Sequence, residues 1–337
     1  MKKHANIPIF IPHYGCPNAC VFCNQVRITG KPSFTEESVR AEIESALKTL
    51  GTEITDIEIA FFGGSFTAIP RSEMLTLLSI SDEYLKSGRV NSVRLSTRPD
   101  AISKDILEIL KDHGVGTIEL GIQSTAQRVL AVCKRGHTAE HSMNACKLIK
   151  KYGFKLIGQM MVGLPNSTQE DELQTAQDII SFGADGARIY PTVVLEGTEL
   201  SKMQKNGDYT ALTVEDATER CASVLDIFSQ SSVQVIRIGL CANEILENEA
   251  SHDSYHAAIG ELVRARVFRN RMEKLLTQAD SPEGKTAVFT IPKGKISQAL
   301  GQKRSNAEYL KKLFQLSHVK AIECNSLTEF DVTLSVE

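Results

Sequence analysis

Ile7-Pro8-Ile9-Phe10-Ile11-Pro12-His13-Tyr14-Gly15-Cys16-Pro17-Asn18-Ala19-Cys20-Val21-Phe22-Cys23 is the stretch from which the rest of the chain can be read. It opens as an apolar run of strand type and ends in three cysteines spaced C-x-x-x-C-x-x-C. Three thiolates in one tight loop after a strand can hold three irons of a four-iron cluster and leave the fourth open to a small molecule. Zinc competes, because His13 precedes Cys16, Cys20 and Cys23, and three cysteines plus a histidine make an ordinary closed site for that metal. Structural zinc usually draws its ligands as two short-spaced pairs far apart, however, and the chain offers no second Cys-x-x-Cys. The spacing favours an iron–sulfur cluster over zinc, and either over a loop without metal.

Bulk properties agree with a soluble enzyme of more than one domain, neither exported nor membrane-bound. With 337 residues, 42% of them hydrophobic and 23% charged, the chain can bury a sizeable core, and its length suggests two units. Lys2, Lys3 and His4 put positive charge at the start, but Asn6, Pro8, Pro12 and His13 interrupt what would have to be the apolar part of an export signal. No apolar run approaches the length of a membrane span, so no membrane partner is expected. Eight cysteines without an extracellular address predict reduced thiols and a cytoplasmic location. Cys133, Cys146, Cys221, Cys241 and Cys324 are widely separated and read as packing residues.

Beyond the first strand, apolar β-type runs alternate with helical patterns, the expectation for a parallel sheet with crossover helices. Strands are predicted near 7–12, 57–62, 92–97, 117–122, 155–162 and 187–190. Helix-type patterning fills 35–50, 70–86, 103–113, 138–152, 168–182 and 213–230, and Thr35 followed by Glu36 and Glu37 suits a helix start. The predicted fold is α/β: a partial (β/α)6 TIM-like barrel over residues 1–245, then a helix and a small basic α+β unit over 246–337. Barrels of this kind gather their chemistry at the carboxyl ends of the strands.

The cysteine spacing, with Phe22 before the last cysteine, resembles the signature of radical S-adenosylmethionine (SAM) enzymes. The resemblance implies a 4Fe-4S cluster held by Cys16, Cys20 and Cys23, with SAM on the open iron. SAM would be cleaved reductively to a 5′-deoxyadenosyl radical that takes a hydrogen atom from substrate. The cofactor then supplies the difficult step, while the protein supplies position and exclusion of water. Gly63-Gly64-Ser65 is similar to the Gly-Gly-Glu type motif of that superfamily, with Ser65 in place of the acid, and paired glycines let backbone approach the SAM amino group. At the next strand ends Ser96, Arg98, Glu119 and Gln123 can reach ribose hydroxyls or a carboxylate, Arg98 as a fork donor. Met160 would offer adenine an apolar face, and Arg188 would hold the SAM carboxylate. Each has a plainer reading: a simple Gly-Gly turn, Asp100 as a helix cap, an Arg98–Glu119 ion pair, a core strand at 157–165, and Arg188 on the surface.

In combination, further blocks look like the radical SAM portion of the Elongator catalytic subunit, over roughly residues 5–245. They are Gly63-Gly64-Ser65-Phe66-Thr67, Thr97-Arg98-Pro99-Asp100, Glu119-Leu120-Gly121-Ile122-Gln123-Ser124, Ile189-Tyr190-Pro191-Thr192 and Glu196-Gly197-Thr198-Glu199-Leu200, with the Tyr209 region after them. That family modifies wobble uridine in transfer RNA and carries a fused acetyltransferase domain, for which the 337 residues leave no room. The resemblance therefore implies an RNA partner, transfer RNA foremost, and an electron donor such as flavodoxin or ferredoxin, with the acetyl-transfer half in doubt. Two other readings stand beside it: a radical SAM enzyme on a small molecule, similar to the coproporphyrinogen dehydrogenases, and a zinc-stabilised RNA-binding protein. No catalytic acid or radical-quenching residue stands out; Tyr190, Cys221 and Cys241 are the candidates.

After residue 245 the pattern changes. Residues 252–276 read as an amphipathic helix bearing Arg264, Arg266, Arg269, Arg271 and Lys274, suited to packing on the barrel. A strand near 287–291, helices near 294–300 and 305–314, and a strand near 319–324 follow. The turn Gly301-Gln302-Lys303-Arg304 between the two helices is similar to the G-x-x-G clamp of KH-like RNA modules, with Arg304 at the second glycine position. Lys285, Lys293, Lys295, Lys303, Arg304, Lys311, Lys312 and Lys320 are opposed only by Glu308 in this span, although the whole chain carries net charge −3. Such a concentration is the footprint of phosphate binding, with Gly301, Lys303 and Arg304 as candidate contacts, while a solvated helix face would look similar.

Overall fold

Seven parallel strands lie side by side in the order in which the chain makes them, β1 to β7. They are β1 (Lys3–Ile11), β2 (Ile54–Gly63), β3 (Ser92–Thr97), β4 (Val115–Gln123), β5 (Lys155–Val162), β6 (Gly186–Pro191) and β7 (Gln234–Ile238). Crossover helices connect them: α1 (Glu36–Thr49), α2 (Arg71–Lys86), α3 (Lys104–Asp112), α5 (Ala139–Lys151), α6 (Gln169–Ser181) and α8 (Val214–Ser229). Two shorter helices, α4 (Gln127–Val132) and α7 (Glu199–Asn206), sit in the loops after β4 and β6. The result is an open, curled half-barrel whose edges are β1 and β7. The computed structural model describes residues 3–11, 15–16, 20–24, 35–241 and 254–337. His13 and the expected boundary between residues 245 and 246 lie outside the described residues.

All six predicted β/α units are present, and β7 adds a seventh strand that the sequence reading missed. Several crossover helices begin where a Ser or Thr side chain accepts an amide of the first turn: Thr35, Ser103, Thr138, Thr168 and Thr213. Alternation along the strands sorts the two faces. Ile59, Leu95, Ile118, Leu120, Met160 and Ile189 pack outward against the helices in one continuous core. Inward positions are largely polar and carry the site.

Downstream, α9 (Ile259–Thr277) begins seven residues later than expected and packs against α8. Its arginines are not an open basic face. Arg266, 8% exposed, bonds Glu215 and Glu219; Arg269 bonds Glu219; Arg271 bonds Asp226. A second sheet then forms in the order β10-β8-β9, from β8 (Thr286–Pro292), β9 (His318–Cys324) and β10 (Thr333–Val336). β9 is parallel to β8 and β10 antiparallel to it, with α10 (Ile296–Leu300) and α11 (Ser305–Leu313) between β8 and β9. Phe268, Phe289, Leu310 and Phe330 join this unit to the same core as the barrel.

Candidate active site

The cysteine loop leaves the carboxyl end of β1 and lies against the loop that follows β2. Gly15 (φ +73°) has no room for a side chain: a Cβ there would stand 2.4 Å from the Ser65 carbonyl oxygen and 2.8 Å from the Ile69 nitrogen. Ser65 is buried, and its Oγ lies 3.3 Å from Cys16 Sγ. On the other side Arg135 Nη1 donates to Cys20 Sγ at 3.2 Å. Directly after Cys20, the Val21 amide donates to the Cys133 carbonyl and the Val21 carbonyl accepts from the Leu200 amide, at 3.3 and 2.8 Å. Val21 is thereby seated in a small apolar cluster with Val129, Met161, Leu164, Leu200 and Tyr209, on which Phe22 and Tyr190 pack. Burial, then the neighbouring Cys20 and Cys16, push the Cys23 thiol up to about 12. A bound cation would reverse that balance, since metal ligation deprotonates thiols. Among the described residues no three Cys, His, Asp or Glu groups already stand as a closed metal cage.

Around Cys20 are buried nitrogen atoms without partners. Arg98 spends Nε and Nη2 on Asp100, and Nη2 also on the Arg135 carbonyl, at 2.9, 2.8 and 2.6 Å. Its Nη1 is left over. Arg135 adds a bond from Nη2 to the Gly121 carbonyl at 2.8 Å, and its Nε is left over. His137, 2% exposed, is assigned an Nε2–H that donates to the Ile122 carbonyl, and its Nδ1 has no partner. Burial, reinforced by Arg135, lowers the His137 pKa to about 3, so the ring is neutral. Unpartnered buried guanidinium donors are costly. Two of them beside three thiols fit a ligand that carries a carboxylate.

The strand ends supply the rest of the mouth. Gly63 (φ +102°) pairs with Ile11, and the buried Ser65 begins the turn Phe66–Ala68. Thr67 Oγ1 reaches Thr97 Oγ1 at 2.6 Å and donates to the Ala101 carbonyl at 2.7 Å, tying this loop to the end of β3. Gln123 is buried and left-handed (φ +66°), at a register irregularity between β4 and β5. Gly121, two residues before it, leaves that side chain room: a Cβ there would stand 2.9 Å from Gln123 Nε2 and 3.3 Å from Arg135 Nη2. Gln159 Nε2 donates to Gln123 Oε1 at 3.4 Å. Ser96 is paired with Glu119 across β3 and β4.

Several sequence expectations change here. Glu119 and Arg188 bond each other, through Arg188 Nε and Nη2 at 2.7 and 2.9 Å, and Arg94 Nη1 donates to Glu119 at 2.8 Å. Arg94 in turn donates to Glu58, which also accepts from Ser92. Glu58, Arg94, Glu119 and Arg188 form an alternating ladder inside the barrel. Arg188 is thus no surface residue, and Arg98 pairs with Asp100 instead of Glu119. Asp100 is no helix cap either; Ser103 caps α3. Met160 is fully buried in the helix-facing core, because strand alternation turns its neighbour Met161 toward Val21 and Phe22. Cys221 is wholly buried in the same core, whereas Cys241 is exposed just past β7.

Arg135, His137 and the Glu58–Arg94 half of the ladder were missed by sequence reasoning. Their signals were present: a charged residue inside the apolar run Ile57-Glu58-Ile59, and Arg135-Gly136-His137 directly after a cysteine-bearing helix end. In the terminal unit, Gly301 (φ +77°) presses on Asn306, where a Cβ would meet the backbone nitrogen at 2.9 Å. Lys303 and Arg304 are exposed and left-handed, φ 50° and 63°, so Arg304 keeps the backbone form expected of a glycine there. Arg304 Nη2 donates to the Val319 carbonyl at 3.0 Å.

The family model of the Radical SAM superfamily matches residues 10–179, and that of the Radical SAM C-terminal domain matches residues 184–269. An uncharacterized protein of Methanocaldococcus jannaschii is 27% identical over 300 residues, 84% of this chain and 87% of that protein. The tRNA uridine(34) acetyltransferase of Methanocaldococcus infernus is 34% identical over 202 residues, covering 53% of this chain and 37% of its own length. Mouse Elongator complex protein 3 is 26% identical over 249 residues, covering 65% of this chain and 45% of its own length. Against these last two the chain spans less than half of the relative. The archaeal Elp3 structure of M. infernus, with residues 1–46 deleted, superposes with TM-score 0.63 at 26% identity, over 81% of this chain and 63% of that one.

Proposed function

The chain belongs to the radical SAM superfamily, and from that premise we propose that it modifies RNA, with a uridine of transfer RNA as the target. It is an enzyme of the 4Fe-4S and SAM type. When bound, the cluster supplies the electron that cleaves SAM reductively. What the chain contributes is position. Cys16, Cys20 and Cys23 would hold three irons. Gly63, Gly64 and Ser65 would form the wall beside Cys16, a reading supported by Ser65 Oγ at 3.3 Å from Cys16 Sγ. Arg98 Nη1 and Arg135 Nε, the two unpartnered donors, would receive the SAM carboxylate. Ser96, Gln123 and Phe22 would line the same mouth, and Glu119 with Arg188 would act through the ladder they form with Arg94 and Glu58.

One observation carries the RNA assignment. None of the eight basic side chains between Lys285 and Lys320 forms an ion pair among the described residues, whereas most arginines of α9 are paired with acidic side chains of α8. An unneutralised basic surface on a unit joined to the barrel suits a polyanion. The relative named as a tRNA uridine(34) acetyltransferase supports the choice of RNA. Residues 246–337 would then be the docking unit, with Lys303 and Arg304 at its turn. A cytoplasmic setting with a flavodoxin or ferredoxin as electron donor completes the reading; no described helix is long and apolar enough to cross a membrane.

The test is anaerobic reconstitution with iron and sulfide, followed by electron paramagnetic resonance with and without SAM, and then transfer RNA binding over a salt series. The cluster signal should change on SAM addition and vanish in the Cys16, Cys20, Cys23 triple alanine variant. Lys303→Glu with Arg304→Glu should weaken RNA binding at least tenfold and flatten its salt dependence, with the cluster signal intact. Unchanged RNA binding in that variant would sink the docking assignment.

A further inference from the structure

We infer that Ser65 and Arg135 are positioning residues that set the reduction potential of the cluster, by donating hydrogen bonds to two of its three cysteine sulfurs. The inference rests on the cluster reading above. Ser65 Oγ stands 3.3 Å from Cys16 Sγ and Arg135 Nη1 stands 3.2 Å from Cys20 Sγ. Cys23 Sγ receives no side-chain donor among the described residues. The support is therefore one-sided.

Both donors are held by contacts that have nothing to do with sulfur. Ser65 is 2% exposed, starts the turn Phe66–Ala68, and has Gly15 packed against its carbonyl. Arg135 is 7% exposed, bonds the Gly121 carbonyl through Nη2, and offers its own carbonyl to Arg98. Neither group needs to reorganise when a cluster gains an electron. Donors and positive charge aimed at thiolate sulfur stabilise the more negative, reduced cluster, and burial strengthens the effect. The fold therefore makes reduction easier through the Cys16 and Cys20 sulfurs. Arg135 supplies a formal charge and Ser65 only a dipole, so Arg135 carries the larger share.

Redox titration of the reconstituted protein without SAM tests this, because lost SAM contacts then cannot move the midpoint. Ser65→Ala and Arg135→Gln should each shift the midpoint to more negative values, Arg135→Gln further, with iron and sulfide content unchanged. Ser65→Thr and Arg135→Lys, which keep the hydroxyl and the charge, should stay nearer the parent. Unmoved midpoints in Ser65→Ala and Arg135→Gln at full iron content would overturn the inference. So would equal loss of iron in all four variants, which would make these residues scaffolding for the loop. A parent protein that assembles no cluster would instead remove the reading on which the inference depends.

Discussion

His137 shows how one residue links burial to pH. Its ring is fully enclosed, its pKa is lowered to about 3 chiefly by desolvation, and the unfolded chain would titrate near 6.5. With the folded value below the unfolded one, the unfolded state binds the extra proton between those values, so stability is fully present above about pH 6.5 and falls as pH drops toward 3. The loss should reach about 2 kcal/mol by pH 5. Urea unfolding of the parent and of His137→Phe at pH 7.5 and pH 5 checks this: the variant should lose less stability on acidification. At this scale the cysteines, Arg98 and Gln123 were legible because each stands in the loop after a strand or at its end. Arg135 and His137 follow α4, a helix end, where a search of strand ends does not look.

Strands were legible where they are long enough to show a run, even at the sheet edges β1 and β9. β3 and β5 match expectation residue for residue, and both are buried along most of their length between barrel interior and helices. β7 and β10 escaped because Gln-Val-Ile-Arg-Ile and Thr-Leu-Ser-Val are five and four residues long and mix apolar with polar side chains. Helix starts were the easiest feature, since a side chain announces them. Thr168 accepts from the Asp171 amide while Asp171 reaches back to the Thr168 amide, at 3.4 and 2.7 Å. Thr168→Ala should cost about 1 kcal/mol in a thermal or urea melt, with Thr168→Ser nearly neutral.

At the scale of the whole molecule, the barrel and the terminal sheet share one apolar core, and α9 is the beam between them. Arg266 is the polar fastening of that beam. Glu215 and Glu219 are exposed enough to be rehydrated once it is removed, so Arg266→Ala should cost about 1–2 kcal/mol. Unfolding of the variant, followed by far-ultraviolet circular dichroism and by proteolysis of the terminal unit, should remain a single transition. Two separated transitions would show that the units melt independently. Sequence alone could not reveal this coupling, because the eight basic residues and the arginines of α9 look alike until their partners are known.

The ladder of Glu58, Arg94, Glu119 and Arg188 also limits depth. Along β3, β4 and β6 its members stand two residues before Ser96, Gly121 and Tyr190, and strands rise about 3.3 Å per residue, so within each strand roughly 7 Å separates the mouth from a floor of fixed, mutually neutralising charge. Nothing apolar can sink past that floor without breaking a buried ion pair. Guest molecules must therefore lie across the rim as on a shallow dish, and a reactive group has to be brought to the dish by a neighbouring surface instead of threading into the barrel.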